Sequence, residues 1–156
     1  MEITYHPIGI LRSPFTDLRQ MPIQPTGEAS DLGSAEVFPQ FAEGLKDIEG
    51  FSHVILLYHL HEVKVATLAV TPFPGSEPRG IFATRAPSRP NPIGVSVVKL
   101  LRLEGNRLYF SGLDVLDGTP LLDIKPYVPE FDGPSEVRIG WLEAARGGVK
   151  FAKSDG

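Results

Sequence analysis

Proline and glycine punctuate this chain along its whole length, 15 of one and 16 of the other in 156 residues. Proline fixes φ and removes a backbone donor, and glycine supplies the turn conformations that other residues avoid. A chain divided this often is built from many short elements joined by turns, which favours an all-β class. The apolar runs have strand length. Phe51–His61 (FSHVILLYHLH) is the strongest of them, and its β-branched and aromatic content fits a buried central strand. Val95–Leu103 and Arg107–Val115 flank Gly105-Asn106, which reads as a hairpin with a two-residue turn. Asp117–Tyr127 follows at once. Ile3–Ser13, with Pro7 and Gly9 inside it, reads as an edge strand or as two short strands with a bulge. Ala35–Phe38 and Ala66–Phe73 are lesser strands, and Pro74–Arg79 is a turn-rich connection. Two short helices are expected. Pro39–Ile48 spaces Phe41, Leu45 and Ile48 at helical intervals, and Trp141–Arg146 is closed by Gly147. Strands at short spacing with turns between them make a barrel or a sandwich.

Composition excludes several kinds of chemistry. A single core is expected at this length. The formal net charge of -4 argues against a general nucleic-acid binder, although 15 Lys+Arg suffice for one local basic surface. Without cysteine there is no thiolate nucleophile, thiolate metal site or disulfide. No GxGxxG or P-loop pattern follows a strand, and Gly-x-Ser-x-Gly does not occur. The start, MEITYHPIGIL, lacks the charged and apolar regions of a signal peptide, and no apolar run spans a membrane. A cytoplasmic protein is expected.

Four stretches carry candidate chemistry. Phe82–Gly94 (FATRAPSRPNPIG) holds Arg85 and Arg89 among Pro87, Pro90 and Pro92. Ala86, Arg89 and Asn91 each precede a proline, so the loop is stiff, and two guanidinium groups and Asn91 on a stiff loop make a clamp for an anion or carboxylate. Asp114–Tyr127 places Asp114, Asp117, Asp123, Lys125 and Tyr127 among apolar residues. Charges in such company are paired or serve a site, and an Asp123–Lys125 ion pair on one strand face is the plain alternative. His53, His59 and His61 share a strand face, but with no completing ligand they read as polar caps and not as a metal site. The fourth stretch is Pro14–Gly27, a long loop that includes Ile23, Gln24 and Pro25.

Taken together, FATRAPSRPNPIGVSVVKL and DVLDGTPLLDIKPYVP, with IGILRSPF and GLKDIEGFSHVILLYHLH upstream, strongly resemble the TrmO family, also called TsaA-like proteins. The resemblance covers roughly Ile8–Pro129. It implies a single mainly-β domain, a barrel over residues 1–136 with short helices, and a short tail over 137–156 that packs on or near it. It implies an S-adenosylmethionine-dependent methyltransferase that needs no metal and acts as a homodimer. The substrate implied is the exocyclic amine of threonylcarbamoyladenosine beside the anticodon, so the partner is a tRNA anticodon stem-loop. The cofactor residues carried over are Ile23, Gln24, Pro25, His61, Glu62, Arg85, Asp117, Gly118, Thr119, Pro120 and Leu121. Ile23 stands where many members have Arg, and Glu62 where close relatives have Gln. Longer members have a C-terminal extension that this chain lacks, so part of their tRNA grip is expected to be absent.

The chemistry asked of such a protein is alignment of an activated methyl with the attacking nitrogen, together with exclusion of water. The amine loses a proton as it is methylated, and Asp123 is the expected acceptor. Tyr127 is the expected platform for the adenine, and Lys125 would hold a phosphate or the threonyl carboxylate. Arg89 and Asn91 are expected on the substrate, with Arg85 and Arg89 dividing the cofactor carboxylate and the RNA backbone between them. The rival reading is a non-catalytic barrel that binds cofactor or RNA.

Overall fold

The computed structural model describes residues 1–16, 32–72 and 77–147. Its strands are β1 (Gly9–Arg12), β2 (Gly33–Val37), β3 (His53–His59), β4 (Ala69–Val70), β5 (Arg79–Gly80), β6 (Ile93–Glu104), β7 (Arg107–Ser111) and β8 (Thr119–Pro126). Six of them close into a barrel in the order β1-β2-β7-β6-β3-β8, each antiparallel to its neighbours. β4 and β5 form a separate two-stranded ribbon. No helix among the described residues is long and apolar enough to cross a membrane.

The expected hairpin is β6–β7, turning at Gly105-Asn106. The first strand differs from expectation. It is only Gly9–Arg12, and it is no edge, because β2 and β8 bond to its two sides. Closure removes sheet edges altogether. Pro39–Leu45 and Ile48–Gly50 are 3-10 segments where one α-helix was expected. Gly44 weakens that helix, and Asp47, at φ 72°, turns the chain before another turn can form. A short helix not expected from the sequence, α1 (Pro129–Asp132), starts on a proline, and the expected C-terminal helix is α2 (Trp141–Gly147).

β3 is central, but only one of its faces is buried. Val54, Leu56 and Tyr58 point into the barrel, where they join Leu11, Ala35, Val37, Val98, Leu108, Phe110, Leu113 and Leu121. Ile55 and Leu57 lie half-buried on the outer face. There they pair with Val97 and Val95 of β6, and His59 pairs with Ile93. Ile93, Val95 and Val97 are 39%, 40% and 51% exposed, so an apolar strip runs down the outside of the barrel.

One end of the barrel gathers the ends of β1, β3 and β7 and the starts of β2, β6 and β8. This mouth receives the Asp117 turn, the Arg85 loop and the residues that follow β3. The other end carries the Gly105-Asn106 turn and the 3-10 segments.

Candidate functional site

The Asp117 turn is built into the mouth by backbone bonds. Asp117 N donates to Phe15 O (2.7 Å) and Gly118 N to Leu11 O (2.9 Å). Gly118 sits at φ 87°, which only glycine adopts freely. The Asp117 carboxylate accepts from Ser13 N (3.1 Å) and lies 3.7 Å from Arg12 Nη1. Its side chain remains partly exposed, with lone pairs to spare for a ligand. Thr119 and Leu121 are different, since both are buried. Thr119 Oγ1 donates to Leu116 O, and Leu121 O accepts from Ile8 N. Pro120 is half-buried beside Ile10 of β1. Ile23, Gln24 and Pro25 lie outside the described residues.

The arginine loop is held by its own side chains. Ile81–Ala83 is a 3-10 turn. Thr84 Oγ1 donates to Ile81 O (3.0 Å) and accepts from Ala86 N (3.2 Å). Arg89 Nη1 donates to Thr84 O (2.8 Å) and Ala86 O (3.1 Å), so this guanidinium fastens the loop from within. Arg85 is exposed and makes no hydrogen bond or ion pair with the described residues. Two arginines four apart in sequence thus have different work. One shapes the loop, and the other is presented by it.

Between this loop and the barrel lies a cavity of about 350 Å³, lined by Tyr58, Thr84, Arg85, Arg89, Ile93, Gly94 and Val95. Tyr58 was not singled out from the sequence. Its place on the inward face of β3, one residue before His59, is the signal that could have found it. Its hydroxyl lies 2.8 Å from Ser96 Oγ, and Ser96 is the satisfied strand hydroxyl expected from its apolar setting. Burial pushes the Tyr58 phenol up from its ordinary value. The Ser96 hydrogen bond opposes this, the Asp114 carboxylate adds to it, and the Arg85 guanidinium opposes it. Tyr58 is therefore a neutral hydrogen-bonding group at physiological pH.

His61 and Glu62 follow the end of β3 at the same mouth, with His61 Nε2 3.7 Å from Glu62 Oε2. Leu60 N donates to Pro92 O (2.7 Å), which ties this turn to the arginine loop. Asn91 is exposed in that loop. Among the described residues no three His, Asp or Glu side chains come together as a metal site would require.

Asp123, Lys125 and Tyr127 lead away from the mouth. Asp123 is paired across β3 with Leu57, Lys125 with Ile55, and Tyr127 N bonds to His53 O at the start of that strand. Asp123 and Lys125 form the ion pair that their spacing allowed, 3.0 Å apart. Asp123 Oδ1 also accepts from Ile124 N (2.9 Å). Asp123 borders a second cavity of about 410 Å³, between β8 and the 3-10 segment. Tyr127 meets His53 edge-on, with ring centroids 6.5 Å apart. Asp123, Leu57 and Val95 lie in one row across β8, β3 and β6. At about 5 Å per strand, Asp123 stands roughly 10 Å from the wall of the arginine cavity along the outer face.

Residues 10–133 match the family profile of the tRNA-methyltransferase O N-terminal domain. The chain belongs to the TrmO family. Its family model is named for a tRNA methyltransferase, and its relatives are named as S-adenosyl-L-methionine-binding proteins or methyltransferases. A probable S-adenosyl-L-methionine-binding protein of Pyrococcus abyssi is 56% identical over 154 residues, covering 99% of this chain and 84% of its own length. The crystal structure of a TrmO superposes with a TM-score of 0.77 at 45% identity, over 90% of this chain. The chain spans about 64% of that solved TrmO. The human tRNA (adenine(37)-N6)-methyltransferase is 36% identical over 138 residues, 84% of this chain and 31% of the human protein. The groups at the mouth suit S-adenosyl-L-methionine, the ligand that the Pyrococcus abyssi relative is named for. Arg85 offers a guanidinium for a carboxylate, while Asp117 and Glu62 offer acceptors for ribose hydroxyls or an ammonium.

Proposed function

We propose that the barrel mouth holds S-adenosylmethionine and transfers its methyl group to the N6 amine of an adenosine beside a tRNA anticodon, one already carrying threonylcarbamoyl. The observation that carries this reading is the coincidence of two patterns. Arg85 and Asp117, from two motifs typical of the TrmO family and far apart in sequence, stand with His61 and Glu62 at one end of one barrel. Bound there, the cofactor supplies an activated methyl on a sulfonium. Arg85 would hold its carboxylate, and Asp117 and Glu62 its hydroxyl and ammonium donors, with His61 beside them. Tyr58 and the stiff arginine loop shape the wall and keep water out. Within the same reading Ile23, Gln24 and Pro25 complete the set of cofactor contacts.

We further propose that the working form is a homodimer paired through the apolar strip of Ile93, Val95 and Val97. The strip adjoins the arginine cavity, because Ile93 and Val95 line that cavity too. A two-fold pairing there would bring Asp123, Lys125 and Tyr127 of one protomer towards the mouth of the other. Within this reading Asp123 accepts the amine proton, Tyr127 stacks on the adenine, and Lys125 and Asn91 meet the substrate. Arg89, whose Nε and Nη2 have no hydrogen bond among the described residues, would steady the RNA backbone.

The deciding experiment is methylation of purified tRNA, with and without threonylcarbamoyl, read by nucleoside mass spectrometry. A methyl group on N6 of the modified adenosine alone is expected. Cofactor binding without transfer to either tRNA would overturn the catalytic reading, and equal transfer to both would overturn the threonylcarbamoyl requirement.

A further inference from the structure

The arginine loop has a second side. Facing α2, it borders a cleft of about 620 Å³ lined by Pro72, Phe82, Thr84, Arg85, Trp141 and Leu142, among others. Thr84 and Arg85 line this cleft and the mouth cavity alike, so one thin wall separates two cavities. Two aromatic planes stand in it. Phe82 is 75% exposed, far more than an aromatic ring kept for packing. The Arg89 guanidinium lies 6.0 Å from its centroid. Trp141 donates its indole N–H to Ala83 O (2.7 Å), which pins the ring against the loop. The Arg79 guanidinium braces that ring, 5.3 Å from its centroid. Arg79 meets Glu77 only at 4.0 Å, and its buried Nε has no partner among the described residues. No carboxylate lines the cleft among the described residues, although Glu143 is exposed on the next positions of α2.

We propose that this cleft is a stacking subsite for an unpaired RNA base, the neighbour of the nucleotide whose base enters the mouth. This inference rests on the tRNA reading above. Rigid aromatic faces beside guanidinium groups are what a sequence-tolerant site for single-stranded nucleic acid requires. A volume of this size is within the range of small-molecule sites. The shared wall supplies the connection, because Arg89, which lines the mouth cavity and lies against the Phe82 ring, can meet the phosphate linking two nucleotides on either side. The net charge of the chain is -4, so a local cluster of Arg79, Arg85 and Arg89 marks this face out.

Trp141 is the only tryptophan in the chain, so its fluorescence reports on this cleft alone. Titration of the full chain with tRNA, and with a short single-stranded RNA, should quench that fluorescence. S-adenosylmethionine and heparin should not. Phe82→Ala should weaken tRNA binding about tenfold, the scale of one lost base–aromatic stack, with cofactor affinity unchanged, and Phe82→Tyr should restore it. Quenching by S-adenosylmethionine alone would assign the cleft to the cofactor's adenine and overturn the proposal. Quenching by heparin to the same depth would leave charge without stacking and overturn it as well. If tRNA binds by filter retention while the fluorescence stays constant, the subsite is wrong and the methyltransferase reading stands. If tRNA does not bind at all, both fall.

Discussion

Gly94 carries more of the mouth than its size suggests. A Cβ placed there would come within 2.4 Å of Tyr58 Cε1 and 2.8 Å of Cζ, so the phenol lies directly on the glycine. Gly94→Ala must displace a ring that the barrel wall confines and that Ser96 holds. The expected cost is about 1–3 kcal/mol of stability, the usual range for overpacking, together with weaker cofactor binding. Chemical denaturation and calorimetry on the same samples check both, and a variant as stable and as competent as the parent would refute the packing argument. Tyr58 itself makes stability depend on alkaline pH. Its folded-state pKa lies above the ordinary 10.0, so its contribution is complete below pH 10.0 and is lost as pH rises through the folded value. Tyr58→Phe should therefore be less stable near neutrality, because the Ser96 hydroxyl loses its partner, yet should decline less steeply at high pH. Denaturation midpoints across an alkaline series measure this, and parallel curves for parent and variant would exclude it.

At the scale of elements, the turn chemistry was plain in the sequence. Gly105-Asn106 announced the β6–β7 hairpin, and Gly105 takes the positive φ that such a turn uses. The limits of sequence reading were long-range. Nothing in Ile3–Ser13 says that β1 meets β8, more than 100 residues away, so a strand paired on both sides reads like an edge. The run Phe51–His61 reads as buried on both faces, yet its outer residues are half open, because an apolar run does not say by composition which of its faces meets the core. The two arginines illustrate the site. Sequence spacing put both on one loop, but only the fold separates Arg89, bonded to two loop carbonyls, from Arg85, which has no such bond among the described residues. Trp141 was legible as part of a helix and not as part of a site, since its contact with Ala83 joins residues 58 apart.

At the scale of the whole molecule, the distance of Asp123 from the mouth becomes a test of assembly. If two copies share a site through the outer strip, Arg85→Ala and Asp123→Ala each inactivate their own homodimer but complement one another. Random mixing should restore about a quarter of the parent activity, since half the dimers are mixed and each has one intact site. No recovery after exchange, with mixed dimers verified by mass, would place all the catalytic groups within one protomer. Sedimentation of a Val97→Lys variant provides the independent check, because a charge in the strip should shift the population towards monomer.

The manner in which the barrel closes also bears on how the protein is made. β1 leaves the ribosome long before β8, and its neighbours β2 and β8 enclose it only when Thr119–Pro126 has been synthesised. The Arg12–Asp117 contact at the mouth likewise joins an early residue to a late one. A nascent chain can form the β6–β7 hairpin locally but cannot own a binding site until Thr119–Pro126 has been synthesised. Closure between such distant segments is slow compared with helix or hairpin formation. Refolding from denaturant should thus show ligand competence appearing in the same late phase as the final near-ultraviolet circular dichroism signal. A chain that gained cofactor affinity well before that phase would be assembling its mouth by some route other than closure of the barrel.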